Sequence, residues 1–254
     1  RGGPLAIAAT ERRSDGASRP GLRIATYNVH GCFGLDGRYA PDRIAKVVNE
    51  IAPDVIGLQE VDNRRPWHEG FHQFDFLRHR IGMSAIPGAS IVEERGEYGN
   101  VLLTRLPVIT VTRLNLSVPE REPRGAIDVV LKADFGLIRV ISTHLGLKPA
   151  ERRLQIERLL AAVESPAPAA DPILATLLIG DFNEWLPRDF RLRDLTERFS
   201  AGFTRPTWPA HMPLLSLDRI YVHPAPRVAR LQVHTGEPAS RASDHLPLSV
   251  DMTW

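Results

Sequence analysis

The chain has 254 residues, 43% of them hydrophobic and 24% charged, an ordinary globular composition able to build one sizeable core or two small ones. Its formal net charge of +2 sits entirely in residues 1–20, where four of the 32 basic and two of the 30 acidic residues lie, leaving 28 of each in the rest. That balance gives no support for a strongly basic nucleic-acid face, although a local patch stays open; no apolar run approaches the roughly 18 residues that span a bilayer; and the single cysteine, Cys32, excludes an internal disulfide and a cysteine-rich zinc site.

Residues 1–20 are rich in Gly, Ala, Ser and Arg, which predicts a disordered or loosely attached tail. Residues 21–254 then read as a single domain. Short apolar runs predict strands over Leu22–Val29, Asp54–Gln59, Asn100–Thr104, Ile127–Ala133, Ile138–Thr143, Leu174–Gly180, Arg219–Val222 and Leu246–Asp251. Several are too continuously apolar to keep a wet face, so they belong in the centre of a sheet or between stacked sheets. Helical spacing appears between them: Ile44, Val47, Val48 and Ile51 behind Pro41, then Ile156, Leu159, Leu160 and Val163. Weaker versions run through Phe74, Leu77 and Ile81 and through Leu192, Leu195 and Phe199. Interspersed strands and helices with no repeat and no long linker predict an α/β or α+β fold.

Polar residues follow these runs in a recurring way. RIATYN delivers Asn28, DVIGLQE delivers Glu60, RVISTH delivers His144, and TLLIGDFN delivers Asp181 and Asn183. Strand ends let rigidly held side chains reach one cleft, where ligands of open α/β sheets commonly bind. Near the C-terminus, Ser243-Asp244-His245-Leu246-Pro247 sets an acid beside an imidazole. Adjacent residues of an extended segment diverge, so Asp244 and His245 are expected to serve different partners. Each residue also has a bland account: a surface or capping role for Glu60, a turn for Asn28, an Asx turn for the GDFN pair, a satisfied core imidazole for His144, a surface salt bridge for Asp218.

The stretches TYNVHG, LQEVD, YGNVLLTR, STHL, GDFNE, LDRIYV and SDHLPL, in this order across residues 22–250, together resemble the endonuclease/exonuclease/phosphatase superfamily of DNase I-like phosphoesterases. The resemblance implies a four-layered sandwich of two packed mixed sheets with helices on the outer faces. It implies Glu60, with Asn28 and Asp244, as the metal ligands, a set of oxygen donors that suits Mg²⁺ or Mn²⁺. It further implies Asp181 and Asn183 at the attacking water and phosphate, a protonated His144 on the phosphoryl oxygens, and His245 as the proton-handling residue oriented by Asp218. Asn100 and Arg124 stand where relatives carry substrate- or metal-proximal groups, with turn and salt-bridge roles as the competing accounts; Trp208, in the segment PTWPAHMPLLSLDRIYV, is a candidate wall of the cleft, a proline-rich surface loop being the competing account.

The function implied is metal-dependent hydrolysis of a phosphodiester or phosphomonoester of a small or lipid-type substrate. The alternative is a Mg²⁺-dependent endo- or exonuclease on DNA or RNA, for which arginines such as Arg121, Arg124, Arg188, Arg191 and Arg193 would serve. A non-catalytic binding module is a remote third, disfavoured because no matched position is lost. His30 and His68 lie near the cleft by position. The partner expected is a phosphate-ester substrate, with nucleic acid possible, no transmembrane segment, and no protein partner inferable. The compartment is undetermined, a cytoplasmic protein being slightly favoured and a cleaved upstream signal left open.

Overall fold

The computed structural model describes residues 21–64, 72–185 and 192–254. Its elements in chain order are β1 (Leu22–Asn28), α1 (Pro41–Ile51), β2 (Val55–Asp62), α2 (Gln73–Ile81), β3 (Ser84–Glu93), β4 (Gly96–Thr104), β5 (Val108–Asn115), β6 (Gly125–Ala133), β7 (Gly136–His144), α3 (Pro149–Glu164), β8 (Ile173–Asp181), α4 (Arg193–Arg198), β9 (Ala201–Thr204), β10 (Asp218–His223), β11 (Val228–Val233), α5 (Ala239–Ala242) and β12 (Leu248–Thr253). A 3-10 turn at His30–Cys32 follows β1. The strands form two six-stranded sheets, ordered β11-β12-β1-β2-β4-β3 and β5-β6-β7-β8-β10-β9. Each sheet is mixed for the same reason: one parallel pair at its centre, β1/β2 or β7/β8, needs a helical crossover, which α1 and α3 supply. The other pairs are antiparallel.

Alternation along the central strands sends side chains to two different cores. Ile24, Val55 and Leu102 of the first sheet meet Val129, Val140, Leu177 and Ile179 of the second, all buried. On the outer face of the first sheet, Ala25, Tyr27, Ile56 and Leu58 pack on Ile44 and Val48 of α1 and Leu77 of α2. On the outer face of the second, Ile141 and Leu178 pack on Ile156 and Leu159 of α3 and Leu195 of α4. The result is the expected four-layered sandwich, helix on sheet on sheet on helix. Full burial of each such Val, Leu or Ile is worth about 1.5–3 kcal/mol.

The inter-sheet packing requires glycine at position 57 of β2, where a Cβ would run into Ser142 Oγ of β7. One buried charge pair ties a sheet to its helix. Arg139 Nη2 lies 2.6 Å from Asp128 Oδ2, and its remaining N–H groups donate to the carbonyls of Ala162, Val163 and Ser165 at the C-terminal end of α3. A cation there satisfies carbonyls that the helix itself cannot.

Candidate active site

Six strand ends meet along one rim of the sandwich. β1, β2, β7 and β8 arrive there by their C-terminal ends, and β10 and β12, running antiparallel to them, leave from it. His144 is the register partner of Asp181, and Asp181 of Asp218, so three neighbouring strands place these side chains in one row. Asn28 of the facing sheet closes the gap: its Nδ2 donates to Asp181 Oδ2 (3.1 Å) and to Glu60 Oε1 (2.9 Å). Asn28 Oδ1 accepts the His30 N–H at 3.0 Å, which leaves it a second lone pair.

Backbone conformation aims two of these groups. Glu60 has φ 59°, at a register slip between Leu58 and Val61 where β2 pairs with β4. Asn183 has φ 52°. Left-handed backbone at a non-glycine residue costs about 1–3 kcal/mol and concentrates at functional sites. The slip interrupts strict alternation, so Glu60 departs from the face that strand period alone would assign. Asn183 N donates to Asp181 Oδ1 (2.9 Å), while its Nδ2 donates to His144 Nε2 (3.0 Å) and to the Leu145 carbonyl (2.9 Å).

His245 sits between two carboxylates. Its Nδ1 donates to Asp218 Oδ2 at 2.9 Å, and its Nε2 lies 3.7 Å from Asp181 Oδ2. Burial pushes the imidazole pKa down, but Asp218, Asp181 and then Asp244 outweigh it and carry it up to about 10. Asp181 is itself raised to about 6, by burial first and by Asp218, against the opposing pull of His245. His144 moves the other way. Burial, then Arg124 and His245, hold it well below the ordinary range. These influences disfavour the protonated His144 that the resemblance implies, and its Nε2 accepts from Asn183 Nδ2.

Asp244 and His245 do diverge. Asp244 Oδ2 accepts from the Trp208 indole at 3.1 Å, and Oδ1 lies 3.8 Å from His30 Nδ1. Trp208 therefore fixes an acid rather than standing only as a wall of the cleft, and His30 lies at the site while His68 falls outside the described residues. Arg124 is buried and paired with Glu122, close enough to Tyr98 to act on its hydroxyl, and its Nε has no partner among the described residues. Asn100 Nδ2 donates to the Gly125 carbonyl at 3.1 Å, so it braces the strand beside Arg124. Arg121 is exposed, Arg193 pairs with Glu197, and Arg188 and Arg191 fall outside the described residues.

Three groups escaped the sequence reading. Thr207 Oγ1 donates to Asp218 Oδ2 at 2.6 Å, making the His245–Asp218 pair a chain of three. Ser243 Oγ donates to the Asn28 carbonyl at 2.7 Å and lies 3.3 Å from Asp244 Oδ1. Arg152 of α3 bridges Glu184 Oε2 (3.0 Å) and the Leu147 carbonyl (2.7 Å), clamping the segments after His144 and Asn183. Thr207 and Ser243 lay within quoted stretches, PTW and SDHLP; nothing in the sequence pairs Arg152 with Glu184.

One donor set for a cation stands out among the described residues, beside the set that the resemblance implies. Asp181, Asp218 and His245 offer ligand atoms within 4.8 Å of one another. Asp218 Oδ2 is shared by Thr207 and His245 while its buried Oδ1 has no partner among the described residues, and the imidazole nitrogen is a poor donor for a hard cation. Glu60, Asn28 and Asp244 offer only oxygens, linked through the Asn28 amide and Ser243.

The model of the Endonuclease/Exonuclease/phosphatase family matches residues 25–245. The uncharacterized protein YbhP of Escherichia coli (strain K12) is 30% identical over 250 residues, 91% of this chain and 96% of that protein. A solved endonuclease/exonuclease/phosphatase from Beutenbergia cavernae is 22% identical with a TM-score of 0.72, covering 92% of this chain and 72% of that one. The mannosyl-6-phosphatase Bt3783 of Bacteroides thetaiotaomicron is 18% identical with a TM-score of 0.71, covering 92% of this chain and all (100%) of that one. These structures share the sandwich. With the family model running from β1 through His245, the chain belongs to the endonuclease/exonuclease/phosphatase family.

Proposed function

We propose that this protein is a divalent-metal-dependent phosphoesterase, hydrolysing a phosphodiester or phosphomonoester of a small or lipid-type substrate. The observation that carries the reading is the cluster around Asp181, which joins Asn28, Glu60 and His245 from the strand ends of one sheet to Asn183 and Asp218 of the other. Four carboxylates, Glu60, Asp181, Asp218 and Asp244, crowd one rim, and this donor chemistry fits a hard cation. Glu60, Asn28 Oδ1 and Asp244 are the residues that would hold Mg²⁺ or Mn²⁺. When bound, the ion would supply Lewis-acid stabilisation of charge on the phosphate.

The chain's own groups divide the remaining work. Asp181, with a pKa of about 6, orients the attacking water and has basicity suited to take its proton near neutrality. His245, held as an imidazolium by Asp218, presents its Nε2 proton toward the reacting phosphate and offsets developing negative charge. The Arg124 guanidinium, whose Nε has no partner among the described residues, would receive a non-bridging oxygen; phosphate charge beside His144 would favour that ring's protonation, and Asn183 Nδ2, released from His144 Nε2, would then turn to a second oxygen. His245→Ala is expected to lower kcat at least about a hundredfold on any true substrate. An intact kcat in that variant, on a diester, monoester, phospholipid or DNA, would overturn the proposal. The nuclease alternative draws on the family name; a turnover that collapses with added salt would favour it.

A further inference from the structure

Most large apolar side chains of this protein are buried, but four stand out from the loops that carry the catalytic groups. Leu147, three residues after His144, is 58% exposed; Trp185, two after Asn183, is 57% exposed; Met212 and Leu214, ahead of Asp218, are 56% and 64% exposed. Their loops are neighbours because β7, β8 and β10 are neighbours. Bonds between the loops hold them together: Arg152 touches both the Leu147 carbonyl and Glu184, and Phe182 N donates to the Leu217 carbonyl at 2.9 Å. Contiguous exposed apolar surface rimmed by polar groups marks an interaction site.

The charged residues on the same loops choose the partner. Lys148 and Arg205 are exposed and engage in no ion pair among the described residues, and segment 205–217 contains no acid. Apolar tips flanked by cations match a surface with an apolar interior beneath anionic headgroups. A nucleic acid would use the cations and stack a base on Trp185, but it would leave Leu147, Met212 and Leu214 in water. We infer that Leu147, Trp185, Met212 and Leu214, with Lys148 and Arg205, seat the catalytic rim on an anionic phospholipid bilayer, so that the ester enters from a membrane surface. This rests on the phosphoesterase reading only for calling that rim the mouth.

The test is co-sedimentation of the full chain with vesicles of phosphatidylcholine, alone or mixed with phosphatidylserine, beside Mg²⁺-supported turnover of a soluble diester. Two cations near the surface should strengthen binding to the anionic vesicles roughly 30-fold. Leu147→Ser with Leu214→Ser should weaken it by roughly tenfold per leucine. Lys148→Gln with Arg205→Gln should remove the preference for phosphatidylserine. All variants should melt like the wild type and turn over the soluble diester unchanged. Absent vesicle binding, leucine variants that bind like the wild type, or binding to an oligonucleotide but not to vesicles would overturn the inference. Vesicle binding without turnover of any ester would defeat the phosphoesterase reading and leave the membrane seat standing.

Discussion

Replacing Asp218 by Asn tests the electrostatics of the site with one atom changed. In the wild type His245 rises from 6.5 to about 10 although burial opposes the rise, and Asp218 is the largest raising influence. The net displacement corresponds to about 5 kcal/mol favouring the imidazolium, and the carboxylates must supply that plus the burial penalty. Asparagine keeps the shape but loses the charge, so the ring should titrate near or below its ordinary value. Because the folded pKa is raised, this contribution to stability is full below about pH 6.5 and lost as pH rises toward 10. The metal-free wild type should therefore melt at falling temperature across that window, and Asp218→Asn should lack most of the slope. An NMR titration of the His245 ring, with thermal melts from pH 6 to 10, reads both effects. A variant whose His245 still titrates near 10, or whose melting retains the wild-type slope, would refute the reasoning.

Other consequences follow from the same contacts. Thr207→Val removes the 2.6 Å donor to Asp218 Oδ2 and should lower kcat severalfold with little change in KM, while Thr207→Ser should keep most activity; equal kinetics for valine would remove Thr207 from the chain. Asp128→Ala strands the buried Arg139 charge and should cost about 3–5 kcal/mol in denaturant unfolding; a loss under 1 kcal/mol would mean Arg139 is satisfied by the α3 carbonyls alone. Gly180→Ala, at φ 149° and against the Thr143 carbonyl, should destabilise the protein and impair turnover together, because it displaces the residue before Asp181; a fully active, wild-type-stable variant would contradict this.

All eight strands expected from apolar runs are present, and the four that were missed are the four sheet edges: β3, β5, β9 and β11. The reason is physical. A central strand is covered on both faces and reads as a continuous apolar run, whereas an edge strand is partly wet and loses that signature. β5 and β11 are mostly exposed, β3 contains Pro87 and Gly88, and β9 has only four residues. β5 still carried a usable signal, since VITVTRLN is rich in β-branched residues. The weak helical patterns at Phe74–Ile81 and Leu192–Phe199 became α2 and α4.

The gathering of the candidate site was legible wherever a polar residue coincides with a strand end, as at Asn28, His144, Asp181 and Asp218. Its protonation was not, because charge state depends on burial and on distances between strands far apart in sequence. His144 and His245 are both buried imidazoles, yet one is held neutral beside Arg124 and the other charged between Asp218 and Asp181. Contacts such as Arg152 with Glu184 arise only once α3 lies across the ends of β7 and β8.

The most direct test of the central claim is hydrolysis of bis-p-nitrophenyl phosphate by the metal-stripped protein as Mg²⁺ is returned, with Glu60→Gln alongside. The account predicts no turnover in EDTA, recovery on adding Mg²⁺, and a variant that needs far more Mg²⁺ for any recovery. Turnover that persists in EDTA, or a Glu60→Gln variant with the wild-type Mg²⁺ dependence, would contradict it.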